Sequence, residues 1–204
     1  AADGLHSTLR SGLGLSAPPS KHPRYGLRQH FALAPWTTAV EVYWAAHSEA
    51  YVTPVDSQVV GVALLVDRVG GDFDHRLGEF PALLERLDGA PRIGSVLGAG
   101  PLRQVARRRV QGRIALVGDA AGYVDALTGE GLAIGFESAR VLIEAMLADD
   151  LMAYERSWRR ITRRYRVLTL GLLAASRNPW VRDRIVPASA RLPRVFGAAV
   201  NSLA

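Results

Sequence analysis

The segment formed by residues 113–122 constrains the fold and the function of this chain more than any other part. It contains residues 114–117, an apolar run with two β-branched side chains that predicts a short strand buried on both faces. Gly118 ends the run, and Asp119 places one carboxylate just beyond it. Because ligands bind at the carboxyl ends of the strands in open α/β sheets, we expect a ligand at this point.

A second glycine-rich turn follows a few residues later. Residues 128–131 read Thr-Gly-Glu-Gly and open a segment with helical periodicity. A carboxylate suits the hydroxyls of a sugar, and glycine backbone at the amino end of a helix suits a phosphate; a nucleotide carries both groups. The two turns therefore predict a nucleotide-cofactor site.

Composition narrows the class of protein. The chain has 204 residues, no cysteine and 49% hydrophobic residues, which allows a real core and excludes a disulfide scaffold or a thiolate metal site. Nothing resembles a signal peptide, and no apolar run approaches the ~20 residues of a membrane span, so we expect a cytoplasmic protein. The net charge of +6 comes almost wholly from arginine, with Lys21 the only lysine. This arginine excess fits a genome rich in G and C, which favours arginine codons, or attraction of the protein to an anionic ligand or surface. No nucleic-acid-binding motif occurs in the sequence.

The order of the elements predicts a nucleotide-binding domain that is interrupted by a sheet. Residues 24–66 alternate between apolar and polar side chains and predict three or four antiparallel strands. Residues 73–87 and 151–175 carry apolar side chains at spacings of three and four, which predicts amphipathic helices. Residues 101–109 predict an extended return segment.

The predicted fold class is therefore α/β, or α+β, with part of a Rossmann-like domain, an inserted antiparallel sheet and C-terminal helices. We assign residues 1–20 and 101–150 to the nucleotide-binding part. Residues 21–100 form the predicted sheet domain, which would cover the substrate, and residues 151–204 form a C-terminal helical region.

Three motifs carry a resemblance to a known family. Residues 3–10 follow the pattern D-G-x-x-S-x-x-R, and residues 118–121 read G-D-A-A. Both resemble motifs of the FAD-dependent monooxygenases related to para-hydroxybenzoate hydroxylase. Residues 125–131 read D-A-L-T-G-E-G, which is similar to the geranylgeranyl reductases and their relatives. The motifs stand in the family's order, on either side of a sheet domain.

The resemblance implies FAD as the cofactor and NAD(P)H as its electron donor. In the family the Gly-Asp aspartate binds the ribityl chain, which gives that role to Asp119, and the turn after it lies against the pyrophosphate and the flavin ring. The full set of cofactor-binding residues implied by the resemblance is Asp3, Gly4, Arg10, Gly118, Asp119, Ala120, Gly129, Glu130, Gly131 and Leu132. No residue is assigned to catalysis or to a metal.

One part of the family pattern does not occur in these residues. The G-x-G-x-x-G phosphate loop, which binds the adenosine end of FAD, is absent, and the glycines of residues 12–14 precede a Pro/Ser-rich linker instead of a helix. We therefore expect the chain to correspond to the C-terminal portion of a family member and not to hold FAD tightly by itself.

The resemblance leaves several functions open. The first is an NAD(P)H- and oxygen-dependent hydroxylase of an apolar or aromatic small molecule, since the sheet region is rich in aromatic residues. The second is a reductase of isoprenoid double bonds, which the T-G-E-G turn favours. A flavin halogenase is disfavoured because its W-x-W-x-I-P motif is absent and Lys21 lies in a linker. The alternative from another class is an inactive fragment, or a basic module whose arginine-rich helix docks on an acidic partner or a membrane surface.

Overall fold

The structure is a computed structural model that describes residues 1–67, 71–176 and 180–181. The helical region predicted for the C-terminus falls within these residues only as far as residue 181. The part of that prediction that concerns residues 182–204 lies outside the described residues.

The chain divides into two compact units. The motif unit consists of Ala1–Pro18 together with Gln104–Ala204, and the sheet unit is Pro19–Arg103. The described elements, in chain order, are α1 (Thr8–Gly12), β1 (Tyr25–Ala32), β2 (Glu41–Trp44), β3 (Ser48–Asp56), β4 (Val59–Val66), α2 (Phe73–Leu77), α3 (Pro81–Arg86), β5 (Arg92–Ala99), β6 (Gln104–Val105), β7 (Val110–Gln111), β8 (Ile114–Ala115), a 3-10 turn (Gly118–Ala121), β9 (Gly122–Tyr123), α4 (Gly131–Leu147) and α5 (Leu151–Ser176).

Five antiparallel strands form the sheet of the sheet unit, in the spatial order β2-β3-β4-β1-β5. The predicted meander of three or four antiparallel strands lacks the fifth strand, β5. In the structure β1 pairs with β4 on one side and with β5 on the other. The sequence pattern gives no signal for β5, because its residues are exposed along the whole strand and Gly94 and Gly98 interrupt its apolar residues. The return segment expected at residues 101–109 contributes only the two residues of β6.

One face of this sheet packs against α2 and α3. Alternate residues of β1, β3 and β4 face that side, as a half-buried antiparallel sheet requires. Their side chains form one core with apolar residues of the segment that contains α2 and α3. The core consists of Phe31, Ala50, Val52, Val60, Val62, Leu64, Val66, Phe73, Leu77, Phe80, Leu83 and Leu87.

The helix predicted over residues 73–87 is two short helices instead. α2 ends at Leu77 with Gly78 as its C-cap, and α3 begins at Pro81 after Phe80. A proline has no amide hydrogen, and its ring clashes with the carbonyl four residues earlier in a helix, so a continuous helix cannot pass through Pro81. The apolar spacing survives the break, and both helices still face the sheet.

The strand predicted at residues 114–117 is shorter than expected. β8 covers only Ile114–Ala115 and forms an antiparallel hairpin with β7. Ile114 is 37% exposed, so the expectation of burial on both faces is wrong at this residue, whereas Leu116 is fully buried.

The segment around Leu116 also pairs with the first residue of the chain. The amino group of Ala1 donates to the carbonyl of Ala115 at 2.6 Å, and the amide of Val117 donates to the carbonyl of Ala1 at 2.9 Å. Two such bonds around one residue are the pattern of parallel pairing. Ala1 therefore runs parallel to Leu116, and the turns that follow each of them lie at the same end.

A buried ion pair connects α5 to the segment before β7. Arg109 and Glu155 are 5% and 7% exposed, and Nη1 of Arg109 lies 2.7 Å from Oε1 of Glu155. The carboxylate of Glu155 also accepts the backbone amide of Arg109 at 2.6 Å. The guanidinium lies over the ring of Trp158, 4.1 Å from its centroid. Both charges are thus desolvated and matched by close partners.

We expect Arg109→Ala to lower the free energy of unfolding by about 3 kcal/mol, because it removes the buried cation that pairs with Glu155 and leaves the more exposed Arg159 as the charged partner of the carboxylate. Denaturant unfolding followed by circular dichroism measures the loss. Arg140→Ala is the matched control, since the ion pairs of Arg140 lie on the exposed side of α4 and should contribute little to stability. Equal losses in the two variants would contradict the assignment.

Candidate cofactor-binding site

The side chain of Arg10 links the D-G motif of residues 3–10 to the G-D motif of residues 118–121. It is 2% exposed, and its Nη1 donates to the carbonyls of Asp119 and Ala120 at 3.3 and 3.0 Å. Its Nη2 donates to the carbonyl of Leu5 at 2.8 Å and to the side-chain oxygen of Gln104 at 3.0 Å. One side chain therefore connects the D-G motif, the G-D motif and β6.

The contacts of Arg10 define what it does in this site. Burial lowers the pKa of its guanidinium, and the nearby charge of Asp3 opposes that shift. Its hydrogen bonds go to protein oxygens, so Arg10 positions the backbone of the site. A direct contact of Arg10 with a cofactor stays a prediction.

Asp3 holds the first turn of α1. Its carboxylate accepts hydrogen bonds from the hydroxyl of Ser7 at 2.7 Å and from the amide of Leu9 at 3.1 Å. These bonds favour the ionised form and lower the pKa of Asp3 to about 2. Ser7 in turn caps α1 by accepting the amide of Arg10, and Gly4 turns the chain at a φ of +78°. Asp3 therefore shapes the D-G motif, and its contact with a cofactor stays a prediction.

Asp119 is the carboxylate of the site that lacks a partner. Gly118, at a φ of +61°, begins the 3-10 turn that carries it, and Ala120 in the same turn is fully buried. In the part of the chain that the structure describes, no hydrogen bond or ion pair reaches the Asp119 side chain. Burial raises the pKa of its carboxyl group. An unpaired, partly buried carboxylate is typical of a ligand-binding position.

Helix α5 binds two backbone carbonyls of residues 116–125, which are called the site segment below. The hydroxyl of Tyr154 donates to the carbonyl of Leu116 at 2.7 Å, and the hydroxyl of Tyr165 donates to the carbonyl of Asp125 at 3.0 Å. The apolar stripe of this helix predicts packing for both rings but carries no signal for the bonds of their hydroxyls. Sequence reasoning therefore misses the two side chains that fix both ends of the segment.

The second turn leads into α4 without a capping side chain. Asp125 accepts the amide of Leu127 at 3.2 Å, and Gly129 turns the chain at a φ of +72°. α4 begins at Gly131, its N-cap residue Glu130 makes no side-chain hydrogen bond to it, and its first turn has no acidic residue. Neither the N-cap side chain nor an acidic residue of the first turn caps the amides of that turn, which is the arrangement that binds phosphate in nucleotide-binding proteins.

Other groups of the same turn fit a nucleotide ligand. The hydroxyl oxygen of Thr128 is buried and has no hydrogen-bond partner among the described residues. Burial raises the pKa of the Glu130 carboxyl group, and the charge of Arg164 opposes that shift. Leu132 is 79% exposed. Polar groups without protein partners beside an uncapped helix fit a ligand rich in hydroxyls and phosphates, such as FAD.

Within residues 1–67, 71–176 and 180–181, no cluster of His, Asp and Glu side chains could hold a metal ion. None of the helices that the structure describes is long and apolar enough to cross a membrane.

Sequence comparison finds short matches. No protein-family model matches the chain. The chloroplastic geranylgeranyl diphosphate reductase of Oryza sativa subsp. japonica is 51% identical over 41 residues, which is 20% of this chain and 9% of that protein. The geranylgeranyl diphosphate reductase of Synechocystis is 42% identical over 62 residues, which is 25% of this chain and 15% of that protein.

Structure comparison finds the fold of flavoproteins. The myxobacterial chondrochloren halogenase CndH, described as FAD-dependent, gives a TM-score of 0.75 at 19% identity over 98% of this chain and 54% of that chain. The flavin-dependent halogenase CmlS gives 0.68 at 20% identity over 80% and 34%, and a flavoprotein/dehydrogenase from Cytophaga hutchinsonii gives 0.70 at 15% over 85% and 49%. The predicted α/β class and the predicted relation to FAD-dependent flavoproteins are confirmed at the level of the fold. The chain spans about a third to a half of these proteins.

Because burial raises the pKa of Asp119, the folded state binds its proton more tightly than the unfolded chain does. Stability from this group is therefore present at acid pH and is lost as the pH rises through the raised pKa. We expect Asp119→Asn, which cannot ionise, to be more stable relative to the wild type at about pH 8 than at about pH 4. Thermal unfolding midpoints at the two pH values measure the difference. An equal difference at both would contradict the assigned environment of Asp119.

Proposed function

We propose that the motif unit forms the flavin-facing part of an FAD-dependent oxidoreductase. The observation that carries the proposal is the contact of Arg10 with the carbonyls of Asp119 and Ala120, which joins the D-G and G-D motifs in one site. The fold likeness to FAD-dependent flavoproteins supports the same assignment.

Each part of the proposed site has a distinct role. The carboxylate of Asp119 accepts hydrogen bonds from the ribityl hydroxyls, and the uncapped amides at the start of α4 bind a phosphate. Gly129 and Gly131 let the backbone approach the ligand closely. The remaining residues position or line this site: Asp3, Gly4, Arg10, Gly118, Ala120, Glu130 and Leu132. FAD, when bound, supplies the electron transfer.

The proposed reaction is an NAD(P)H-dependent hydroxylation of an apolar or aromatic small molecule. The face of the sheet opposite α2 and α3 supports an apolar substrate. Val42 stands opposite Tyr51 on that face, and Leu97 stands opposite Arg28. Val42 and Leu97 are 41% and 49% exposed and belong to the two outer strands of the sheet. A cytoplasmic location remains part of this proposal.

The second candidate reaction is the reduction of isoprenoid double bonds. Its support is the short but high identity to geranylgeranyl diphosphate reductases. The likeness to halogenases concerns the fold at 20% identity or less and does not favour halogenation as the activity. The candidate from another class is a basic binding module, which the exposed Arg160, Arg163 and Arg164 of α5 favour.

We expect the natural polypeptide that contains this chain to bind FAD, and Asp119→Asn to weaken that binding about 10-fold or more, because the anionic acceptor of the ribityl hydroxyls is lost. Titration followed by flavin fluorescence measures the Kd. Asp88→Asn, which changes an exposed carboxylate of the sheet unit, is the control and should bind FAD like the wild type. Wild-type affinity in Asp119→Asn would overturn the ribityl assignment, and a polypeptide that binds no FAD would overturn the flavoprotein proposal.

Oxygen uptake separates the two reactions. We expect the FAD-loaded polypeptide, supplied with NADPH and an aromatic substrate, to consume oxygen as product forms, because a hydroxylase takes its oxygen atom from O2. Turnover of an isoprenoid substrate without oxygen uptake would favour the reductase instead. Salt-sensitive binding to anionic vesicles by a polypeptide that binds no flavin would favour the basic module.

A further inference from the structure

Three tyrosines stand in or beside the site segment, and the hydroxyl of one of them has no hydrogen-bond partner among the described residues. Tyr154 and Tyr165 donate to carbonyls of the segment, as described above. The hydroxyl of Tyr123 makes no hydrogen bond with any residue that the structure describes, and this residue is only partly buried. Of the three hydroxyls, that of Tyr123 is therefore the one available to a ligand.

The backbone of Tyr123 belongs to the network that joins the two motifs. β9 pairs with β6, so that Tyr123 stands opposite Gln104. The side-chain oxygen of Gln104 accepts a hydrogen bond from Arg10, which also donates to the carbonyls of Asp119 and Ala120. The position of Tyr123 is thus fixed relative to Asp119.

The ring of Tyr123 lies against the first residue of α4. A β-carbon added to Gly131 would stand 3.4 Å from Cε2 of Tyr123 and 3.9 Å from its hydroxyl oxygen. Gly131 opens the helical turn whose amides the side chain of Glu130 does not cap. A ligand oxygen bound to those amides would therefore lie beside the Tyr123 hydroxyl.

The hydroxyl of Tyr123 is held in its protonated form. Burial is the largest cause that raises its pKa, and interactions with Tyr165, Asp119 and Asp125 raise it further. A neutral phenol donates a hydrogen bond, whereas the carboxylate of Asp119 only accepts. The two side chains therefore offer complementary bonds to a ligand that carries both hydroxyls and acceptor oxygens.

We propose that Tyr123 is a further cofactor-binding residue, whose hydroxyl donates a hydrogen bond to an acceptor oxygen of the flavin nucleotide at the amino end of α4. The inference rests on the proposed function and adds a residue that the motifs do not assign. Two oxygens share the required chemistry, namely a phosphate oxygen and a carbonyl of the flavin ring.

Tyr123→Phe in the natural polypeptide tests the proposal. We expect the Kd for FAD to rise about 5- to 10-fold, because one hydrogen bond is lost while the ring stays in place. The thermal midpoint without FAD should stay at the wild-type value. Tyr165→Phe is the matched control: it removes a hydroxyl that binds the carbonyl of Asp125, so it should lower the midpoint.

Titration with FMN and with riboflavin distinguishes the two oxygens. A loss of affinity for FMN but not for riboflavin assigns the bond to a phosphate, since riboflavin has none. A loss for both assigns it to the ring. Either result supports the binding role of Tyr123.

Three results would overturn the inference. Wild-type affinity of Tyr123→Phe for all three flavins would show that the ring only packs against Gly131, with the flavin proposal intact. A midpoint lowered as much as in Tyr165→Phe, at unchanged affinity, would make the hydroxyl structural. A wild-type polypeptide that binds no flavin would overturn the proposed function together with this inference.

Discussion

The rest of the site depends on one buried guanidinium. Arg10 has almost no exposed surface, yet it reaches a turn, a strand and a 3-10 turn that are far apart in the chain. A buried cation needs close acceptors, and protein oxygens accept from both Nη atoms of Arg10, while its buried Nε has no hydrogen-bond partner among the described residues. A planar fork with five donors can serve several acceptors at once, which an ammonium group cannot do with the same geometry. The backbone carbonyls around Asp119 are therefore fixed before any ligand arrives.

The polar groups of the motif unit fall into two sets. One set faces protein: the hydroxyls of Tyr154 and Tyr165 bind backbone carbonyls. The other set has no protein partner among the described residues and contains the carboxylate of Asp119 and the hydroxyl of Tyr123. Groups of the second set lower stability when they are partly buried, and proteins retain such groups mainly at functional sites. This division identifies the groups that are free to bind a ligand.

Local patterns predicted the parts of the structure that local physics determines. Gly118 and Gly129 adopt positive φ in the two glycine-rich turns. Helix α5 covers Leu151–Ser176, which agrees within one residue with the range 151–175 predicted from its apolar spacing. Strand β5 could not be predicted, because nothing buries its side chains and its pattern is therefore weak. The contacts of Arg10 also escape sequence reasoning, since they join residues that only the folded chain brings together. Pro81 carried a clear local signal, but the apolar spacing on both sides of it indicated one helix.

Helix α5 also acts as a spacer of defined length. Tyr154 and Tyr165 stand about three helical turns apart, roughly 16 Å, while the carbonyls they bind belong to a segment that would span roughly 30 Å if fully extended. The rigid helix therefore keeps the segment between Leu116 and Asp125 compact. Inserting one residue between the two tyrosines would rotate Tyr165 by about 100° and detach one end, whereas an insertion after Tyr165 would leave both ends attached. The length of this stretch of helix is thus as much a part of the site as any side chain in it.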